Sequence, residues 1–267
     1  MMGAWFRQDE HMKNKSILYQ EYRERILSAA AKGTPLVIQG GGSKNFYGRA
    51  VKGEIISTRP CTGIISYEPS ELVLTAYAGT PLPEVMTALA ARKQMLAFEP
   101  PAYKEATTLG GMVACGLSGP RRPWSGSVRD YVLGVTCING KGEMMKFGGQ
   151  VMKNVAGYDV SRLMTGAMGT LGLLLEISLK VQPAPESEMS LCGSMDFNTA
   201  LQAMNAWAGK ALSLSAASYD SEQLYVRLSG KYSAVTAARK KFELADTDPG
   251  YWQRSRDHLL PFFQDSA

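Results

Sequence analysis

Three glycine-rich loops, each placed at the end of a strand or helix, carry the chemistry this sequence can offer. The first, Gln39-Gly40-Gly41-Gly42-Ser43-Lys44, follows the apolar run Leu36-Val37-Ile38 directly. Such a loop can turn main-chain N–H groups toward a pyrophosphate; glycine serves because side chains would block the approach and some positions require positive φ. Alone, a GGGS tract is explained as well by a flexible turn. The second runs from Thr108 through Gly110 and Gly111 to Gly116, Ser118 and Gly119, and alone a small-residue packing loop explains it equally well. The third, from Gly157-Tyr158-Asp159 to Gly166-Ala167-Met168-Gly169-Thr170-Leu171-Gly172, again precedes a strand. Three loops of this kind outrun what turns explain and point to a cofactor held against main chain. There is no G-x-G-x-x-G after a strand and no G-x-x-x-x-G-K-[ST], which excludes the usual dinucleotide and P-loop fingerprints.

The elements that must position these loops follow from periodicity. Ile17, Leu18, Tyr22, Ile26 and Leu27 recur at helical spacing and predict a helix over 16–32, stopped by Gly33-Thr34-Pro35. Strands are expected at 36–38, 54–57, 63–67 and 72–77, then a helix opening at Pro81. The region 108–126 reads as glycine-rich loop. A strand over 130–138 meets the turn Asn139-Gly140-Lys141-Gly142 and a strand over 144–147, a hairpin signal. Loop 148–157, a short helix at 160–165 capped by Asp159 and a strand over 171–181 complete the first domain, 1–185, closed by Pro183 and Pro185. The second domain, 186–267, is expected to be α+β: a strand at 189–193, a helix at 197–207, strands at 213–219 and 224–228, a helix at 232–244, and no closing element beyond Tyr251.

With 267 residues and a net charge of +5, the chain can bury one large domain and a smaller one, and its mild basic excess suits anionic small molecules or acidic partners rather than nucleic acid. The first fifteen residues lack the apolar core of a signal peptide, and no apolar stretch is long enough for a transmembrane segment. Cys61, Cys115, Cys137 and Cys192 lie far apart and, with His11 and His258, make no metal-ligand pattern. Thiols of a reducing compartment are the expectation, hence the cytoplasm.

The three loops, in this order, resemble the FAD-binding domain of the vanillyl-alcohol oxidase/p-cresol methylhydroxylase superfamily. The stretches PLVIQGGGSK (35–44), GMVACGLSGPRRPWSGSVRDYVLG (111–134) and FGGQVMKNVAGYDVSRLMTGAMGTLG (147–172) are similar to the FAD-binding subunits of bacterial glycolate oxidases. The resemblance implies an α+β chain: two α/β subdomains with FAD between them, then a cap from about Glu186, with further elements expected after Ala267. It places Gln39, Gly40, Gly41, Gly42, Ser43 and Lys44 around the FAD diphosphate. Thr108, Gly110, Gly111, Gly116, Ser118, Gly119, Ser125 and Gly126 would run along the diphosphate and flavin, and Gly169, Leu171 and Gly172 would lie near the adenine-ribose end. It also implies partners, a catalytic flavin subunit and an iron–sulfur subunit, which would bring the chain to the inner membrane peripherally.

This sequence departs from the catalytic relatives of that superfamily. Gly116 stands where Asn is common, Ser125 where Tyr is common, and Ala167-Met168 where Ser-Glu is common. The cap histidines that bind metal and 2-hydroxy acid there are missing: His258 is the only histidine after His11. No histidine lies in the loops, so FAD is expected to bind non-covalently. Oxidising a 2-hydroxy acid such as glycolate to glyoxylate needs a hydride acceptor, a base and a cation for the carboxylate. Arg121, Arg122, Arg129 and Lys153 are candidate cations, and Tyr158-Asp159 a candidate base. A solvated basic turn explains Arg121-Arg122 as well as a ligand site, and no residue is assigned as catalytic. Three readings stay open: an accessory or electron-relaying FAD subunit, a stand-alone FAD-dependent 2-hydroxy acid dehydrogenase, or a scaffold without flavin.

Overall fold

The computed structural model describes residues 2–103, 106–149 and 158–264, with side chains from Lys15 onward. The chain divides into two compact units: 1–92, 103–116 and 129–181 in the first, and 93–102, 117–128 and 182–267 in the second. The fold is α+β, and its larger sheets are antiparallel throughout.

The first unit opens with α1 (Met2–Lys32), reaching further back than the apolar spacing predicts. Its buried face is Tyr22, Ile26 and Ala29, at helical intervals, whereas Ile17 is exposed and lies off that face. Tyr22 and Ile26 pack with Ile56, Cys61, Tyr77, Ile138, Leu173 and Leu175 into one core, each fully buried aliphatic side chain contributing about 2 kcal/mol. Polar contacts set the helix in register: Tyr19 Oη donates to Glu176 at 3.0 Å, and Lys15 Nζ donates to the carbonyls of Pro60 and Thr62. Burial, with Cys61 and Glu176 alongside, pushes the Tyr19 phenol far up, so it stays a protonated donor.

Two short strands, β1 (Leu36–Gln39) and β2 (Glu54–Ser57), pair in parallel. The main sheet is built from β3 (Ile64–Glu68), β4 (Val73–Tyr77), β5 (Val132–Ile138), β6 (Met144–Gly148) and β7 (Leu173–Lys180), in the order β3-β4-β7-β5-β6. The turn from Asn139 to Gly142 links β5 and β6 as expected, closed by Gly142 N donating to Asn139 O. Between strands lie α2 (Leu82–Ala90), α3 (Leu109–Cys115) and the short α4 (Val160–Leu163), which Asp159 caps by accepting from Arg162 N.

Helix α3 corrects the reading of 108–126 as loop. Two glycines depress helix propensity there, by about 1 kcal/mol each. Thr108 compensates as N-cap by accepting from Gly111 N, and Gly116 ends the helix in the left-handed conformation at φ 68°. A one-turn helix, Arg122–Ser125, also lies in that stretch, within the second unit.

In the second unit, β8 (Ser187–Ser194), β9 (Leu214–Asp220) and β10 (Gln223–Gly230) form a sheet in the order β9-β10-β8, extended by Ala245–Asp246. Helices α5 (Phe197–Ala208) and α6 (Tyr232–Arg239) supply Ala200, Val235 and Ala238 to its core. The tail does carry structure, against expectation: α7 (Gly250–Arg256) buries Tyr251 and Trp252 against Ala216 and Leu260.

Candidate functional site: a cationic cavity beside the first glycine loop

A cavity of about 830 Å³ lies in the first unit, within the size range of cofactor sites. Its lining takes residues from all three glycine-rich regions: Gln39, Gly40, Gly41, Gly42, Ser43 and Lys44; Thr108, Gly110 and Gly111; and Ala167, Met168, Gly169, Thr170 and Gly172. Leu171 is not on that lining, and neither is Gly116. Ser118, Gly119, Ser125 and Gly126 belong to the second unit. There Ser118 Oγ accepts from Val128 N, and Ser125 Oγ donates to the carbonyls of Ala97 and Arg121.

The loops differ in what their main chain has free. Among the described residues, the N–H groups of Gly41, Gly42 and Ser43 make no main-chain hydrogen bond. Gly42 turns at φ +71°, so three successive N–H groups sit in a bend beside the cavity, the arrangement that suits phosphate oxygens. The second loop is already satisfied internally: Leu109 N donates to Thr80 O, Gly110 N to Ala78 O, and Gly111 N to Thr108 Oγ1. Gly110 is small because a Cβ would meet Ala78 Cβ at 2.7 Å and Ala78 O at 2.8 Å. The first loop therefore offers donors, while the second supplies a packed wall.

Close packing also governs Gly40 and Gly41. A Cβ on Gly40 would run into Thr108 Oγ1, and one on Gly41 would overlap the carbonyl of Ala106. Gly41→Val is thus expected to lower thermal stability together with any ligand affinity. Gly111→Val offers the cleaner perturbation, since a Cβ there meets only Thr108 Oγ1, at 3.1 Å, on the cavity wall. It is expected to keep the melting temperature within a few degrees and still obstruct the cavity, as thermal melts beside ligand titration would show. A Gly111→Val protein that binds as the parent does would remove α3 from the site.

Lys44 is the electrostatic centre. It is 9% exposed, its ammonium stands 5.6 Å from the centroid of the Tyr103 ring, and among the described residues no carboxylate pairs with it. Burial pulls its pKa down from the ordinary lysine value. A cation buried without an anion is costly, and an incoming anion offsets that cost. Hydrogen bonding between Ser43 Oγ and Thr107 Oγ1, at 2.9 Å, ties this loop to the segment before α3.

Sequence reasoning missed part of the lining: Tyr47, Arg49, Lys52, Thr58, Ala78, Ala114, Cys115 and Met164. A signal for the cations existed, since no Asp or Glu occurs between Glu24 and Glu54. Among the described residues, the cavity lining carries Lys44, Arg49 and Lys52 and no carboxylate.

The remaining candidates resolve otherwise. Arg121 is neither a solvated turn nor a free carboxylate receptor. It is 9% exposed, and its guanidinium contacts Glu99, Glu188 and Ser229. Arg122 and Arg129 are exposed, and Lys153 lies outside the described residues. Asp159 serves as the cap of α4 and pairs with Arg162 at 3.1 Å, while Tyr158 is exposed. His258 belongs to the second unit, where its ring stacks on Phe263.

The Gly116 departure has a conformational explanation. The position needs a left-handed backbone, which glycine and asparagine adopt more readily than other residues. Here a Cβ would meet Gly166 Cα at 3.1 Å. Ala167 and Met168 both line the cavity, so the Ser-Glu pair common in catalytic relatives is replaced by apolar wall.

The sequence profile of a family described as FAD binding domain matches residues 19–148, which include the first two glycine loops. The chain is 48% identical over 244 residues to the glycolate oxidase subunit GlcE of Escherichia coli (strain K12), covering 91% of this chain and 70% of that protein. It belongs to the family of that subunit. A D-lactate dehydrogenase of Anaerostipes hadrus is 36% identical over 58% of this chain, which spans only 33% of that protein. In fold, the chain resembles a solved alkyldihydroxyacetonephosphate synthase, with a TM-score of 0.70 at 17% identity over 90% of this chain and 53% of that one. FAD is the cofactor of the matched family, and the donor set fits it: among the described residues, N–H groups without a main-chain acceptor, a buried cation without a carboxylate partner, and a cavity of cofactor size.

Proposed function

We propose that this chain is the FAD-binding subunit of a glycolate oxidase-like complex that oxidises small 2-hydroxy acids, in an accessory or electron-relaying role. The observation that carries the reading is Lys44, a buried cation that no carboxylate among the described residues pairs, set beside a loop whose Gly41, Gly42 and Ser43 N–H groups make no main-chain hydrogen bond among those residues. In this reading Gly41, Gly42 and Ser43 hold the FAD diphosphate through main-chain donors, and Lys44 neutralises it. Gly110 and Gly111 form the wall along the cofactor. Ala167 to Gly172 close the cavity on the remaining side. Gly116, Ser118, Gly119, Ser125, Gly126 and Leu171 stay as family-derived FAD residues within the proposal. FAD, when bound, supplies a two-electron acceptor for the complex.

Binding is non-covalent, as no histidine stands in the loops. The 2-hydroxy acid is met by a catalytic flavin subunit, and electrons pass on through an iron–sulfur subunit; both are partners in this proposal. Arg121 supports the accessory reading over a self-sufficient dehydrogenase, since this sequence candidate for a carboxylate receptor is engaged by Glu99 and Glu188. Among the described residues no helix is long and apolar enough to cross a membrane, and we place the chain in the cytoplasm, reaching the inner membrane only through its partners.

The test is the visible absorption of the purified chain and identification of any chromophore released by heat. Bound or readily acquired FAD is the expected result. A colourless protein that takes up no added FAD would overturn the flavin reading in favour of a scaffold. Turnover of 2-hydroxy acids by the isolated chain with an artificial acceptor would overturn the accessory role.

A further inference from the structure

We propose that Arg49 and Lys52 form a capture site for the anionic dinucleotide at the rim of the cavity, setting its rate of association, while Lys44 inside sets its residence time. This rests on the FAD reading above and adds a division of labour within one site. Both rim residues line the cavity, and both side chains are exposed. Among the described residues neither forms an ion pair or a side-chain hydrogen bond, so their charge is not spent elsewhere. Glu54, the carboxylate next along the chain, is held by Arg25, whose guanidinium also donates to Ile55 O. The cavity therefore presents cations of one sign at two depths.

Depth decides what each cation does. Near the rim, water screens the bound state, so an exposed pair contributes little to final affinity. Its long-range field still biases diffusional encounter, and clefts lined by one sign of charge raise on-rates by ten-fold or more. Lys44, largely shielded from water, acts on the bound state instead. Arg49 and Lys52 are exposed and, among the described residues, make no ion pair or side-chain hydrogen bond, which makes their charges separable from folding.

The experiment is stopped-flow mixing of FAD with the FAD-free full-length chain, following flavin fluorescence. It compares the parent, Arg49→Gln/Lys52→Gln and the charge-keeping Arg49→Lys/Lys52→Arg. At roughly 10 mM ionic strength, where the screening length is about 30 Å, the neutral double variant is expected to associate about ten-fold more slowly. Its dissociation rate is expected to stay within about two-fold of the parent. The charge-keeping variant should associate as the parent does. At about 1 M salt, where screening acts over about 3 Å, all three on-rates should converge. Unchanged association in the neutral variant, or a slowing shared by the charge-keeping variant, would overturn the capture role. So would a change confined to dissociation. Failure of the parent to take up FAD would overturn this inference together with the flavin reading, whereas parental FAD binding with a salt-independent on-rate would sink the capture role alone.

Discussion

Replacing Lys44 with methionine is expected to weaken FAD binding by roughly 30- to 1,000-fold while raising the melting temperature of the FAD-free protein. Methionine keeps the length and apolar contacts of the lysine stem and removes the charge. Losing one member of a desolvated ion pair costs about 2–4 kcal/mol in binding, which is the stated range in Kd. Without FAD, the same change removes a buried cation that no carboxylate among the described residues pairs, so stability should rise by about 1 kcal/mol, or roughly 2–4 °C. Opposite signs for the two readouts distinguish this from general damage. Isothermal titration of FAD and thermal melts of the FAD-free chain read them; unchanged affinity would remove Lys44 from the site.

The same residue gives the site a pH dependence. Burial lowers the Lys44 pKa in the folded, FAD-free protein. Between that lowered value and 10.5, the folded state binds fewer protons than the unfolded one. Stability of the FAD-free protein therefore rises with pH across that window and levels off above it. FAD binding runs the other way: the diphosphate favours the ammonium, so binding takes up a proton and affinity falls as pH climbs past the lowered value. Titrations in buffers of different ionisation enthalpy should show this uptake in the parent and its loss in Lys44→Met.

Glu99→Ala is expected to be the most damaging single change in the second unit. The Glu99 carboxylate accepts from Arg121 N at 2.9 Å, pairs with the Arg121 guanidinium, and pairs with Arg227 at 2.8 Å. Both arginines are nearly fully buried, and Arg227 lies 5.3 Å above the Trp252 ring. Removing the shared anion leaves two buried cations short of a partner, which costs about 3–5 kcal/mol. Glu188→Ala makes the contrast: its side chain is 41% exposed, so its pair with Arg121 is expected to contribute at most about 1 kcal/mol. Denaturant titration of both variants checks the difference. Equal losses would mean that burial is not what makes Glu99 matter.

What the sequence disclosed depends on how local each determinant is. Strand β2 and the hairpin turn at Asn139 were readable because short β-branched runs and turn chemistry act over a few residues, and Asp159 as a cap for the same reason. Helix α3 was not, because its two glycines signal loop, while its actual support comes from Thr108 and from Ala78 and Thr80 across the unit. Helix α7 escaped notice since only its packing on β9 gives Tyr251 and Trp252 a reason to be buried. In the site, the glycine loops and Lys44 were legible, but the partition between a donor loop and a packed loop was not. That partition lies in which N–H groups already have acceptors. The burial of Arg121 was equally hidden, since its partners stand 22 and 67 residues away.

The interleaving of the two units has a consequence for how the molecule comes into being. Glu99 is synthesised well before the arginine it holds on β10, a separation of 128 residues, and Ala102 N waits 155 residues for the carboxylate of Asp257. Segments 93–102 and 117–128 therefore leave the ribosome with their charges unmatched, inside a stretch of chain that otherwise belongs to the first unit. Contacts of such long reach slow folding, because the loop between them must be closed before they reward it. The first unit has all its segments once Val181 is made, whereas the second keeps 93–102 and 117–128 unmatched until α7 and Asp257 emerge, an interval in which unpaired chain is open to misassembly.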